Sequence, residues 1–241
     1  MQEFEGYVGV RLWEGQLIND LLFLLLLGLL ILFSVVFRKN YRLFGKMLRD
    51  VAHVRDRLSI FEDASGNEKA FRRFMVFQSL FLCSLFMFLW GRNMDYINYS
   101  DLEHNLNIIT LIFGILLLFY LFKQALYVVV GVVFITAEQF RQWRIGYSAA
   151  IGLWGALLYV PVLWMSFIGT QERTPFIMFV ALFILCRLII IYKSLRIFNL
   201  NRIGVLYIFL YLCALETLPL FFLYEGIKYL YNFIDELALW H

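Results

Sequence analysis

Long apolar runs separated by short polar stretches set the pattern of this chain. They fall at 21–37, 74–90, 107–135, 145–168, 176–192 and 203–223. Most are near the roughly 20 residues that carry a helix across a bilayer. An open chain satisfies its backbone groups in lipid only as a helix, so the pattern predicts an all-α bundle of six transmembrane helices. The third run is longer than one crossing requires. It is either one strongly tilted helix or a crossing that ends near Lys123 and continues as an interfacial or re-entrant piece.

Two polar regions also carry a helical pattern. In the long loop 38–73, Leu43, Met47, Val51, Val54 and Leu58 recur at helical spacing, with Lys46, Arg49, Asp50 and Arg57 between them. This predicts a basic amphipathic helix, either lying on anionic lipid headgroups or offering a docking face to a cytosolic partner. The stretch 62–69, EDASGNEK, has the composition of a flexible turn. The tail 225–241 places Ile227, Leu230, Ile234 and Leu237 on one face and ends near Trp240, the pattern of an amphipathic helix at the outer surface or an extension of the sixth span.

Charge supports the span count independently. Arg38, Lys39, Arg42, Lys46, Arg49, Arg55, Arg57, Lys69, Arg72 and Arg73 follow the first run, Arg141 and Arg144 the third, and Lys193, Arg196 and Arg202 the fifth. With six spans all fifteen share one side, against Arg11, Arg92, Arg173 and Lys228 on the other. The positive-inside rule then places the long loop in the cytoplasm and both termini in the periplasm.

Composition narrows the class. The 241 residues are 62% hydrophobic, where soluble domains lie at about 45–50%. The leader MQEFEGYVGVRLWEGQ is acidic where a cleavable signal is basic, so the first run is expected to remain as a span. Cys83, Cys186 and Cys213 lie inside apolar runs, and His53, His104 and His241 are scattered. No metal or other cofactor is therefore expected. There is no nucleotide-binding glycine pattern, serine elbow or paired catalytic carboxylates, so neither an enzyme nor a nucleic-acid partner is expected. Gly146, Gly152 and Gly155 fit close helix packing. Asn98-Tyr-Ser100 matches a glycosylation sequon, relevant only in a secretory pathway.

Three charges stand inside the apolar runs: Lys123, Arg187 and Glu216. Each costs about 2.5–3.5 kcal/mol at a helix centre, so each should face the bundle interior. Tyr120 and Tyr127 share a helical stripe with Lys123 and are its candidate partners. Glu216 has two main readings beside a third, in which it belongs to a ligand or lipid-headgroup site. It pairs with Arg187 or Lys123 and fixes helix packing, or it titrates in a proton or ion path. Pro219, in the second reading, breaks the helix beside it and frees the Leu215 carbonyl.

The run Tyr192-Lys193-Ser194-Leu195-Arg196, followed by Leu210-Tyr211-Leu212-Cys213-Ala214-Leu215-Glu216-Thr217-Leu218-Pro219-Leu220, resembles the "YLC-x-LE-x-LP" signature of a Bacteroidota family described as domain of unknown function 4271. Phe119–Lys123 is similar to its third-span pattern. The likeness covers about the last two thirds of the chain. It implies a polytopic inner-membrane protein of a Gram-negative envelope and no particular activity.

Together these features predict a non-catalytic inner-membrane subunit of a larger assembly, partnered by other integral membrane proteins, in envelope biogenesis or protein export. The alternative is a small secondary transporter or proton-coupled protein using Glu216, with two three-span halves of opposite orientation.

Overall fold

The computed structural model describes residues 16–52, 66–94, 102–134, 137–168, 173–198 and 225–226. Among them are six α-helices: α1 (Gln16–Ala52), α2 (Gly66–Asn93), α3 (Leu102–Phe134), α4 (Ala137–Leu157), α5 (Tyr159–Phe167) and α6 (Arg173–Phe198). Five stretches are long and apolar enough to cross a membrane, with α4 and α5 together forming one of them. The described residues of the first five apolar runs fall in these helices, apart from Leu158 and Ile168 at the ends of α5. The sixth run, 203–223, lies outside the described residues, as does the tail beyond the helical pair Glu225–Gly226.

Successive spans alternate in direction. At one end Arg92 of α2 donates to the Asn19 side chain of α1 (2.9 Å), and Trp90 stacks on Phe176 of α6 with centroids 4.0 Å apart. At the other end the start of α2 meets the start of α4, and the start of α4 meets the end of α6. This second end gathers Lys46, Arg49, Lys69, Arg72, Arg73, Arg141, Arg144 and Lys193, and is called here the basic end.

The middle of the bundle is built on α2, which packs against α1, α3, α4 and α5. Leu82, Leu85, Phe86 and Phe88 of α2 are buried with Leu22 and Leu26 of α1, Leu158 and Val162 beside and within α5, and Phe179 of α6. Phe86 and Phe179 stack at 4.1 Å. The α2–α4 crossing is close because Gly155 faces Ser79: a Cβ on Gly155 would lie 2.7 Å from the Ser79 Cα. Gly152 sits similarly over Met47 and Met75, and Gly146 over Lys193. The three glycines are close-packing positions, as their spacing predicts.

The third run, as far as residue 134, lies in one continuous helix of 33 residues with no break at Lys123, which agrees with the first of its two alternatives. Other elements differ from the sequence reading or add to it. The fourth run passes through Leu158 with helical φ/ψ (−63°, −18°) and its bonds to Trp154 and Val162 kept, while Pro161 leaves the Leu157 carbonyl without its usual helical donor. The 38–73 stretch is helical at both ends. Helix α1 runs on to Ala52 past a non-helical residue at Asn40 (φ −127°, ψ 27°), and α2 already begins at Gly66. Residues 66–69 are therefore the first turn of a helix rather than part of a flexible turn. The amphipathic helix is present over its described part, but its apolar face is covered by the protein. Met47 is buried with Phe71, Met75 and Ala149, and Leu43 and Val51 pack alongside. Its exposed edge carries Arg42 and Arg49. Val54 and Leu58 lie outside the described residues.

Candidate functional site

Polar chemistry concentrates at the basic end, beginning at the interruption of α1. The Asn40 side-chain amide donates back to the Val36 carbonyl (3.0 Å), and its oxygen accepts from the Asn67 amide (2.9 Å). An asparagine side chain that bonds its own backbone competes with the helix, which accounts for the irregular residue. Six residues further, Lys46 pairs with Glu68 at 2.9 Å. Arg72 then makes four hydrogen bonds: two to Glu68 Oε1 (2.9 and 3.2 Å), one to Asp50 (2.6 Å) and one to the Ile145 carbonyl of α4 (3.1 Å). Glu68 is 5% exposed and Arg72 7%. Two cations and two carboxylates thus neutralise one another and join α1, α2 and α4. Each buried charge has a partner at hydrogen-bond distance, the condition under which burying it is tolerated.

A second fastening lies between α4 and α6. Trp143 donates its indole N–H to the Ser194 hydroxyl (2.9 Å), which donates in turn to the Ile190 carbonyl (2.9 Å). Lys193 beside it is buried, and its amine would stand 3.2 Å from a Cβ on Gly146. From sequence Lys193 reads as a loop cation; the structure places it inside. The absence of a side chain at Gly146 makes that space.

Lys123 is 2% exposed, which agrees with an interior position. Its amine lies 5.7 Å from the Tyr127 ring centre and 5.9 Å from that of Tyr147 in α4. These are distances at which a ring face attracts a cation. Tyr127, Trp143 and Tyr147 pack together, with centroids 4.2–5.6 Å apart. Tyr120 borders the same cluster. The helical stripe identified Tyr127 but missed Tyr147, whose i,i+4 relation to Trp143 was the available signal. Arg187 is half-buried in α6, its guanidinium carbon 4.8 Å from the Phe183 ring centre. Glu216 and Pro219 lie outside the described residues, so the expected pairings of Glu216 do too.

A groove of about 770 Å³ runs between α2, α3 and α4. Lys69, Arg73, Arg141 and Arg144 line its basic end, while Phe77, Leu80, Leu117 and Leu121 line it further in. Among the described residues, no three of His, Cys, Asp and Glu gather as a metal would require.

Against known families, the model described as Domain of unknown function (DUF4271) matches residues 22–227. The chain belongs to this family. The match to DUF4271 reaches further toward the N-terminus than the resemblance of the last two thirds implied. It takes in the ionic network, Lys123 and the groove. No curated protein and no solved structure matched the chain. Within this DUF4271 member, Lys193 and Ser194 belong to the run that carried the resemblance, and both are buried between α4 and α6.

Proposed function

We propose that this DUF4271 protein is a non-catalytic integral subunit of a larger membrane complex, seated in the inner membrane of a Gram-negative envelope and serving envelope biogenesis or protein export. In this reading six spans cross the membrane, both termini are periplasmic and the basic end faces the cytoplasm, as the distribution of Lys and Arg favours. Its partners are other integral membrane proteins.

The supporting observation is the closed network of Lys46, Glu68, Arg72 and Asp50. Its ionisable groups are engaged in holding three helices together, an arrangement suited to a scaffold. Affinity purification from the native membrane in gentle detergent, followed by mass spectrometry, tests the proposal. A stoichiometric membrane companion is expected; a protein that runs alone or only with itself overturns it. The competing transporter reading rests on Glu216 and Pro219, and no described residue favours it. Under the subunit reading, Glu216→Gln leaves ion and solute uptake unchanged.

A further inference from the structure

The groove between α2, α3 and α4 has two kinds of wall. Lys69, Arg73 and Arg144 are exposed at its basic end and, among the described residues, have no carboxylate partner. Arg141 lines the same end. Among the described residues, no Asp or Glu lines the groove. Further along α2 and α3 the wall is apolar, and Phe77, Leu121 and Val128 remain exposed there. Helix α3 packs on α2 through Phe113 against Phe77 and Phe81, and meets α4 through Tyr127 against Trp143 and Tyr147, so the groove lies between these two seams.

Its length identifies the occupant. Lys69 to Leu80 on α2 and Val128 to Leu117 on α3 each span about 16 Å at 1.5 Å per residue. Half of a hydrocarbon core about 30 Å thick is nearly the same depth. A free phosphate would occupy the cationic end and leave the apolar wall uncovered. A soluble apolar molecule would leave the cations without a counterion. An amphiphile with a phosphate head and a hydrocarbon chain matches both, and basic pockets between membrane helices are known to hold such headgroups.

We propose that this groove binds one anionic phospholipid from the leaflet at the basic end. Its phosphate lies among Lys69, Arg73 and Arg144, and one acyl chain lies along Phe77, Leu117 and Leu121. The lipid covers apolar surface that α3 leaves open and neutralises charge brought together by two helices, α2 and α4.

Native mass spectrometry of the full-length protein, titrated with phosphatidylglycerol or phosphatidylcholine of identical chains, tests this. The expected result is a single tightly retained phosphatidylglycerol and weaker retention of phosphatidylcholine. At about 1 kcal/mol per basic residue near the lipid, the double variant Arg73→Gln/Arg144→Gln weakens phosphatidylglycerol binding about thirtyfold. The variant Arg42→Gln/Arg49→Gln, with the same charge change on the exposed edge of α1, leaves it unchanged. Equal loss in both double variants, or equal retention of the two lipids, overturns the proposal. Leu121→Trp narrows the apolar part with every charge kept, and decides the matter if the groove double variant does not fold. Loss of phosphatidylglycerol in Leu121→Trp supports the proposal; wild-type retention overturns it. Competition by glycerol 3-phosphate at the lipid's own concentration also overturns it, because the site would then be one for a soluble anion.

Discussion

Helices α1 and α2 are neighbours in the chain and opposites in the bundle. The span in α1 has the most apolar window of the five, yet only 11% of that window is buried. The α2 window is markedly less apolar and 67% buried. The three most apolar windows, in α1, α6 and α3, are the three least buried. A water-soluble domain shows the reverse order, because water drives its most apolar segment to the centre. Lipid tails are as apolar as leucine and exert no such drive. What goes inside is whatever lipid rejects: Glu68, Arg72, Gln78, Ser79 and Ser84 are all buried on α2. Large side chains such as Leu24, Ile31 and Val35 cover the outside of α1.

Six substitutions, grouped in four tests, probe that contrast in order of effect. Arg72→Met removes one partner of a buried network and leaves Glu68 and Asp50 facing each other, which should cost about 3–5 kcal/mol. A large fall in the thermal midpoint in mild detergent is the expected reading, and an unchanged midpoint would show that water reaches the network. Next comes the pair Leu82→Ala and Ile31→Ala. The first empties a fully buried site at a cost of about 2–5 kcal/mol. The second trims an outward position on α1 and should stay within about 0.5 kcal/mol of the parent. Comparable losses from both would mean that α1 has a protein neighbour along that face. Gly155→Val forces α2 and α4 apart and should cost about 1–3 kcal/mol. Gly28→Val, with nothing near its Cβ, should leave the midpoint in place. The smallest change has the opposite sign. Both amide atoms of Gln78 are buried with no hydrogen-bond partner among the described residues, so Gln78→Leu should raise stability by about 1 kcal/mol. A fall instead would reveal a polar group or water held by that amide.

The sequence was most legible where one physical rule acts alone. Apolar length located the five described spans, and the three glycines of α4 marked close approaches through their lack of a side chain. It was least legible at the basic end. Glu68, Arg72 and Lys193 have the appearance of loop charges, and their burial depends on contacts across long separations, such as that of Arg72 with the Ile145 carbonyl. The i,i+4 spacing of Glu68 and Arg72 was a usable hint, since it predicts one shared helix face once residues 66–73 are known to be helical. The interruption at Asn40 involves neither glycine nor proline and depends on the asparagine bonding Val36 and Asn67. Lys123 was readable as an interior charge. Its aromatic neighbour Tyr147 from α4 was signalled only by its i,i+4 relation to Trp143, because helical spacing relates residues only within one helix.

The α2–α4 crossing at Ser79 and Gly155 has a consequence for biogenesis. The ribosome makes the polar face of α2 well before it makes the helix that covers that face. At about 5–20 residues per second, synthesis from Asn93 to Leu157 occupies roughly 3–13 s. Until late in that interval Gln78 and Ser79 have no complete α4 to pack against, and for most of it Arg72 has no Ile145 carbonyl. The nascent chain must be held at the insertion machinery, or sheltered by α1, until α4 arrives. A chain truncated before Gly155 would therefore be exposed to membrane quality control, even though its earlier helices are already complete.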